Sequence, residues 1–271
     1  IDNPATSLVV TDLKAYWALS EGDGLVAYDS GSTLEEDVVQ NGDFSELGSE
    51  EVTNGDFATD LSGWTLDTSR GSYAWDVGRI KITNDAANSY ANCSQDIATT
   101  IGGIYRVRGT VEIGTATTIE FRATRVGGNA TQQLSSDGTI DFTFIADQAS
   151  TKLLCYLWSP TGNTDDYCYF DNISVKQVDP NDEWTLGTGW SYGDDKAVAV
   201  VGSDSYLTQD IGALDGGKYQ VTLDIEVEDG SVFLYYGAWV SGGVYEPITV
   251  SGSYSFITTW NSNSNISIFK K

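Results

Sequence analysis

A strict alternation of apolar and polar residues recurs along this chain, and it constrains the fold more than any other feature. Its clearest example is Tyr105-Arg-Val-Arg-Gly-Thr-Val-Glu-Ile113, in which Tyr105, Val107, Val111 and Ile113 fall on one face and the polar residues fall on the other. A period of two residues is the pattern of a β-strand with one buried face. Further strands are predicted at Thr118–Ala123, Thr139–Phe144 and Lys152–Trp158. Short strands separated by turns, with no sustained helical period, predict an all-β sandwich.

The composition allows a buried core and excludes several partners. The 271 residues are 40% hydrophobic and 12% aromatic, with a formal net charge of −25. Such a surface repels phosphate backbones and anionic lipids, so we expect no nucleic-acid and no membrane partner. A strongly acidic surface is also suited to an environment of high salt or to the binding of calcium. No segment approaches the roughly 20 apolar residues of a membrane span.

The N-terminus has neither the basic nor the apolar part of a signal peptide, since it reads Ile1-Asp-Asn-Pro4. The sequence contains no methionine, so we expect a processed product or a fragment of a longer chain. The three cysteines, Cys93, Cys155 and Cys168, are too few and odd in number for a disulfide framework. Cys155 and Cys168 lie on consecutive predicted strands and are able to face each other, but we expect buried free thiols.

One short motif occurs twice, as Val38-Val-Gln-Asn-Gly-Asp-Phe44 and as Glu51-Val-Thr-Asn-Gly-Asp-Phe57. Each copy predicts a short strand, an Asn-Gly turn that supplies positive φ, an acid and a buried aromatic residue. The copies are too close together for each to begin its own domain. We therefore expect one of them to be a spacer or an extra edge strand.

A longer internal repeat indicates two related domains. At one constant offset, Gln95-Asp-Ile97 matches Gln209-Asp-Ile211, Gly102-Gly103 matches Gly216-Gly217, and Tyr105 matches Tyr219. Upstream, Gly63-Trp64 is matched to Gly189-Trp190 with a shift. The second copy has no counterpart of Tyr169-Phe-Asp-Asn-Ile-Ser-Val175, so an open edge is predicted unless later residues or another chain supply a strand. The expected organisation is an extended N-terminal arm and linker (1–53), a complete jelly-roll β-sandwich (54–178) and a second, shorter one without a closing strand (179–271).

Three resemblances to known families follow from these motifs. Asn54-Gly-Asp-Phe57, Gly63-Trp64, Gly102-Gly-Ile-Tyr105 and Tyr169–Val175 together resemble the carbohydrate-binding modules of the family 4/9/22 group, within the galactose-binding-like jelly rolls. Leu13–Ser30 is similar to the opening of a laminin-G or concanavalin-like lectin, but the early Asn-Gly-Asp-Phe motif argues against a complete lectin. The two closely spaced Asn-Gly-Asp-Phe copies, together with the later segment Trp184-Thr-Leu-Gly-Thr-Gly-Trp190, are similar to sequences in structural proteins of tailed bacteriophages. This last resemblance implies a tail fibre, head fibre or capsid decoration at the virion surface.

The carbohydrate-module resemblance implies one structural calcium between the first and last strands. Asp56 and Asp171 occupy the matching motifs, and hard oxygen donors suit calcium. The alternative is that Asp56 caps its own turn and that Asp171 lies at a β-bulge. Zinc is not expected, because the chain has no histidine and its cysteines are poorly spaced.

Outward-facing aromatic residues are the candidates for glycan binding. Tyr156 and Trp158 are opposite in phase to Leu153, Cys155 and Leu157, and Phe233, Tyr235 and Trp239 form a second such set. Aromatic rings stack on the C–H faces of sugars. Burial against an arm or a neighbouring subunit is the alternative, and the sequence alone favours that alternative.

The sequence gives little support for a catalytic function, because a chain without histidine has no Ser-His-Asp or Cys-His arrangement. With 39 scattered acids, no pair of carboxylates stands out as a glycosidase site. The function predicted from the sequence is therefore a non-enzymatic structural protein of a phage virion. Its expected partners are other virion subunits, copies of itself in a homo-oligomer such as a trimer, and a host-cell glycan. The alternative is a glycan-binding module of a secreted carbohydrate-active enzyme or adhesin.

Overall fold

The chain is built from β-strands, as the alternation predicts. The computed structural model describes residues 37–85, 90–157, 164–193, 195–199, 205–214, 216–236, 247–260 and 264–270. In these ranges every regular element is a strand and every strand pairing is antiparallel, so the all-β class is confirmed. Residues Val39–Lys271 form one compact unit and Ile1–Val38 another. The lectin-like stretch Leu13–Ser30 lies outside the described residues. Of the expected N-terminal arm and linker (1–53), the structure describes residues 37–53.

Two sheets face each other in the first sandwich. One has six strands in the order β3-β4-β11-β6-β9, with β1 paired to β11, and the other has five in the order β2-β5-β10-β7-β8. The strands are β1 (Leu47–Glu50), β2 (Thr65–Leu66), β3 (Gly71–Trp75), β4 (Ile80–Asn84), β5 (Asn92–Ala98), β6 (Ile104–Glu112), β7 (Ile119–Thr124), β8 (Ala130–Leu134), β9 (Gly138–Ile145), β10 (Ser150–Leu157) and β11 (Tyr167–Val178).

The core of the first sandwich is formed by the alternate residues that the pattern of β6 predicts. Tyr105, Val107 and Val111 are buried on its inner face. Arg106, on the outer face, is also buried, with 6% of its surface exposed, because it forms ion pairs with Asp141 and Asp195. All three cysteines are free and buried, as expected.

The second sandwich repeats this plan, with fewer strands among its described residues. Its four-stranded sheet has the order β12-β15-β19-β17, and β13-β14 and β16-β18 are separate pairs. The strands are β12 (Thr185–Leu186), β13 (Trp190–Gly193), β14 (Lys196–Ala199), β15 (Ser205–Asp210), β16 (Lys218–Ile225), β17 (Val232–Tyr236), β18 (Gly252–Thr259) and β19 (Asn265–Lys270).

The pairings match each described strand of the second sandwich with a strand of the first, while β1, β8 and β11 have no counterpart among the described residues. The pair β2–β5 corresponds to β12–β15, β6–β9 to β16–β18, and β5–β10–β7 to β15–β19–β17. The predicted match of Trp64 with Trp190 is wrong. Trp64 precedes β2 and donates its Nε1–H to the carbonyl of Asn54, whereas it is Trp184 that precedes β12 and donates to the carbonyls of Gln40 and Asn41.

The two Asn-Gly-Asp-Phe copies serve different sandwiches. The side chain of Gln95 accepts the N–H of Thr53 (2.8 Å) and donates to its carbonyl (2.9 Å), which ties the second copy to β5. Gln209 forms the same pair of bonds with Gln40 (2.9 and 2.8 Å), which ties the first copy to β15. Phe44 accordingly packs 5.2 Å from the ring of Trp184, and Phe57 packs 5.5 Å from Trp64. The first copy is therefore part of the second core, and the expectation of a spacer or an extra edge strand is wrong.

The turn in each copy has the positive φ that the Asn-Gly pair was expected to supply. Positive φ is adopted by the asparagine, at 47° in Asn41 and 52° in Asn54, and not by the glycine that follows. Gly55 is needed because the chain passes close to β11. A Cβ on Gly55 would lie 1.9 Å from the carbonyl oxygen of Ile173. The domain limits 1–53, 54–178 and 179–271 stay predictions.

Candidate functional site

A cluster of aromatic rings covers the outer face of the four-stranded sheet in the second sandwich. Because Leu207 and Leu234 point inward, their strand neighbours point outward. Cross-strand register then aligns β15, β19 and β17, which places the rings side by side. We call this set the four-ring cluster; it consists of Tyr206, Phe233, Tyr235 and Phe269.

The rings of the four-ring cluster hold one another in place. The centroid of Phe269 lies 4.7 Å from that of Tyr206 and 6.0 Å from those of Phe233 and Tyr235. Tyr206 and Tyr235 meet edge to face at 5.9 Å. All four side chains are half-buried. Such tilted and edge contacts stabilise aromatic pairs beyond simple burial, so the rings form an ordered apolar platform.

Among the described residues, the equivalent outer face of the first sandwich is polar and has one aromatic ring at its centre. Tyr156 on β10 occupies the position that Phe269 occupies on β19, and the guanidinium of Arg122 lies 4.5 Å from the centre of its ring. Next to it, the Glu120 side chain is only 4% exposed and accepts hydrogen bonds from Arg122 (2.7 Å) and Gln133 (2.7 Å). This face combines an aromatic surface with fixed hydrogen-bonding groups.

The predicted glycan residues are divided between these two faces. Tyr156, Phe233 and Tyr235 lie on the outer faces, as their phase predicts. Trp158 and Trp239 lie outside the described residues. Sequence reasoning missed Tyr206 and Phe269, although each alternates with a buried or half-buried aliphatic neighbour. This alternation is the sequence signal from which their outward position could have been predicted.

A shallow cleft of about 260 Å³ lies between β13 of the second sandwich and β8 and β9 of the first. Its lining includes Trp190 and Arg125, both common in ligand sites. Their polar groups are already engaged, however: Trp190 Nε1–H donates to the carbonyl of Ser205, and the Arg125 guanidinium donates to those of Gly128 and Ile145. The cleft is therefore a weaker candidate than the outer faces.

The two predicted calcium ligands are close enough to interact. Burial raises the pKa of Asp171 above its ordinary value, and the charge of Asp56 raises it further. Asp56 accepts the N–H of Ala58 (3.3 Å), and Asp171, at a register shift in β11, accepts the N–H of Asn172 (2.7 Å). These are the turn-cap and bulge contacts of the alternative interpretation. Among the described residues no group of three or more acidic, histidine or cysteine side chains is placed to hold a metal ion, so two carboxylates would need backbone carbonyls and water to complete a calcium shell.

The buried thiols are poorly suited to nucleophilic chemistry. Burial raises the pKa of Cys155 and of Cys168 well above the usual value, so both stay protonated at neutral pH. Within the described ranges, no helix is long and apolar enough to cross a membrane.

No protein-family model and no curated protein matches the chain. Similar solved structures are mostly carbohydrate-binding modules. One is described as a family 4 module (18% identity, TM-score 0.35, covering 51% of this chain and 99% of the module). Another is TmCBM61 in complex with β-1,4-galactotriose (13% identity, TM-score 0.35, 47% and 98%). The enzymatically active domain of tailspike protein 4 from bacteriophage CBA120 is also similar (13% identity, TM-score 0.37), with 48% of this chain and 21% of the tailspike covered. At this level of similarity, the function of these proteins does not transfer to this chain.

Proposed function

We propose that this chain is a non-enzymatic glycan-binding protein that holds sugar rings against the outer faces of its two sandwiches. The four-ring cluster is the observation that carries the proposal. Flat aromatic surfaces stack on the C–H faces of sugars, and rings that are already fixed lose little entropy on binding. Contiguous apolar patches on an otherwise charged surface mark places where a partner binds.

The face around Tyr156 supports the same function with different chemistry. A sugar against Tyr156 would meet the Arg122 guanidinium and the exposed Gln133 side chain, which are placed to bond its hydroxyls, while the buried Glu120 carboxylate holds both groups in position. Binding sites for small molecules combine an apolar surface with a few fixed polar groups in this way. We therefore propose two unequal sites, one mainly stacking and one mainly hydrogen-bonding.

The charge of the chain restricts the class of glycan. A net charge of −25 repels sulfated, sialylated and other anionic sugars. The proposed ligands are neutral glycans. Because stacking is an apolar interaction, binding to them should change little between low and high salt.

A glycan array tests this proposal. The purified chain should bind neutral glycans, and Phe269→Ala and Tyr156→Ala should each weaken the signal. Tyr169→Ala is the matched control, because Tyr169 is also an outward-facing aromatic residue with a guanidinium over its ring (that of Arg79, at 3.7 Å), but it lies on the opposite sheet, outside both proposed sites. An array without specific signals from folded protein, or equal losses in all three variants, would contradict the proposal.

A second candidate function is the structural role in a phage virion. The observation that favours it is the interlocking of the two sandwiches: residues 40–44 belong to the second core although the whole first sandwich follows them in sequence. This arrangement suits a surface fibre or capsid decoration that must resist unfolding, with virion subunits or a homo-oligomer as partners. Antibodies against the chain should then label intact virions. A monomer in solution, with no labelling of virions, would contradict this role.

A further inference from the structure

The core of the first sandwich holds three thiols that the proposed glycan sites do not use. Cys93 lies on β5, Cys155 on β10 and Cys168 on β11, and none of them is exposed to solvent. The strands β5 and β10 are neighbours in the five-stranded sheet, whereas β11 belongs to the six-stranded sheet. The three thiols are therefore not equivalent, because two share a sheet and the third meets them across the core.

Cys93 and Cys155 lie directly opposite each other. Their pairing is part of a continuous ladder between β5 and β10 that has no register shift. Opposite Cα atoms in an antiparallel ladder are about 4.5–5.5 Å apart, which falls within the roughly 4.4–6.8 Å that is usual for a disulfide. Both side chains are buried in the core, and the two thiols are in hydrogen-bond contact. The backbone thus already places this pair for a bond between the sulfur atoms.

Cys168 is less well placed for such a bond. Facing sheets typically pack about 10 Å apart, and cysteines whose Cα atoms are more than about 7 Å apart are not bridged without movement of the backbone. Cys155 accordingly forms its hydrogen bond with Cys93, whereas the influence of Cys168 on it is electrostatic. The structure therefore favours Cys93 over Cys168 as the partner of Cys155.

The surroundings of the pair determine when a bond is able to form. Cys155 is opposite Phe121 on its other side, and Cys93 is opposite Leu66. Burial raises the pKa of Cys155 well above its usual range, so the thiolate is scarce in the folded chain. The thiolate is the nucleophile of disulfide exchange. The folded chain should therefore resist oxidation, and the bond has to form while the strands are still open to solvent.

We propose that Cys93 and Cys155 become joined by a disulfide when the chain folds in the presence of a small-molecule disulfide such as oxidised glutathione. The thiolate of one cysteine attacks a sulfur of oxidised glutathione and releases one glutathione thiolate. The thiolate of the other cysteine then attacks the protein sulfur of this mixed disulfide and releases the second. The two cysteines lose two protons and two electrons, which convert one molecule of oxidised glutathione into two of reduced glutathione. Cys168 remains a thiol.

The bond should respond to the redox conditions under which the chain folds. Opposite Cβ atoms in a ladder are about 4.5–5.5 Å apart, so the two strands must approach by about 1 Å to reach the spacing of a disulfide. Strained disulfides are reduced more readily than relaxed ones. We therefore expect a bridged chain after folding with oxidised glutathione and three thiols after folding with an excess of reduced glutathione.

Refolding of the full chain from denaturant tests the proposal. One sample contains oxidised glutathione and the other only reduced glutathione, and each is then denatured, alkylated and mapped by mass spectrometry. The oxidised sample should carry one alkylated cysteine, Cys168, and a cross-linked peptide pair that joins Cys93 to Cys155. Before alkylation, its Tm should be about 5 °C above that of the reduced sample, because the bridge restricts the unfolded chain.

Cysteine variants separate the bridge from a general effect of oxidation. Cys168→Ala is the matched control, because Cys168 is equally buried in the same core, and this variant should keep both the bridge and the rise in Tm. Cys155→Ala should lose both. The peptide map of the wild type does not depend on whether these variants fold.

Three results from the oxidised wild type would overturn the proposal: three alkylated cysteines, a cross-link that includes Cys168, or glutathione that stays attached to Cys93 or Cys155. Oxidation of the already folded chain as fast as during refolding would contradict formation of the bond during folding. None of these results bears on glycan binding.

Discussion

The side-chain amide of Gln209 closes two hydrogen bonds with the backbone of Gln40, from which it is separated by 169 residues. The first sandwich is contained almost entirely between these two residues. Gln95 and Thr53 form the same pair of bonds within the first sandwich. Each glutamine thus fixes one Asn-Gly-Asp-Phe copy onto one core.

Replacing either glutamine should destabilise its own sandwich. Gln209 is 3% exposed, so Gln209→Leu would leave the N–H and the carbonyl of Gln40 without these partners, at a cost of about 2–4 kcal/mol. Gln95→Leu should have a similar effect on the first sandwich. The measurement is denaturant unfolding followed by tryptophan fluorescence. Gln220→Leu is the control, because Gln220 is exposed, and its cost should stay within about 0.5 kcal/mol. Equal effects of Gln209→Leu and Gln220→Leu would contradict this account.

The two motif glycines should respond differently to the same substitution. Gly55→Ala forces a Cβ into the backbone of β11 and should cost about 3 kcal/mol or more of the free energy of unfolding. Gly42→Ala should cost less than about 1 kcal/mol, because among the described residues only the Val39 side chain must move. Thermal unfolding of both variants provides the comparison. A loss in Gly42→Ala as large as that in Gly55→Ala would contradict the claim that the close approach of β11 makes Gly55 the more constrained of the two.

The ion pair of Arg106 should make stability depend on acid pH. Arg106 donates to both carboxylate oxygens of Asp141 at 2.9 Å, and these bonds hold the pKa of Asp141 below its ordinary value. A lowered pKa in the folded state contributes stability above the unfolded pKa of about 3.9, and this contribution is lost as pH falls through the folded value. Asp141→Asn should therefore be less stable than the wild type at pH 7, by about 1 kcal/mol because Asp141 is 37% exposed.

The difference between Asp141→Asn and the wild type should shrink as pH falls below about 4. Urea unfolding at a series of pH values measures it. Asp96→Asn is a suitable control, since Asp96 is exposed and lies 3.9 Å from Lys152 in a surface pair. A difference that is constant with pH would show that the charge of Asp141 does not contribute.

Calcium should stabilise the first sandwich if Asp56 and Asp171 bind it together. Added calcium would then raise the Tm of the wild type but not of Asp171→Asn, and the effect should weaken as pH falls through the raised pKa of Asp171, because protonation competes with the metal. Asp43→Asn is the matched control, because Asp43 occupies the same position in the first motif copy but bonds to Ser45. A Tm that does not respond to calcium at neutral pH would favour the turn-cap and bulge roles alone.

Local patterns in the sequence predicted the strands and the faces of their side chains. The inward set Tyr105, Val107 and Val111 and the outward position of Tyr156 follow from a period of two residues alone. The residue equivalent to Trp64 in the second sandwich could not be predicted from such patterns. The Gly-Trp pair recurs at position 190, whereas the three-dimensional equivalent is Trp184, which begins a Trp-Thr-Leu segment like that at Trp64. A hydrogen bond between residues as distant as Gln40 and Gln209 leaves no local signal. The four-ring cluster likewise depends on the register of three strands, which one strand's sequence does not specify.

Isothermal titration calorimetry with the best neutral glycan from the array would test the central claim most directly. We predict two binding events per chain, and the loss of one of them in Phe269→Ala and of the other in Tyr156→Ala, while Tyr169→Ala keeps both. Wild-type heats that persist unchanged in a folded Phe269→Ala, Tyr156→Ala double variant would contradict the assignment of these faces as glycan-binding sites.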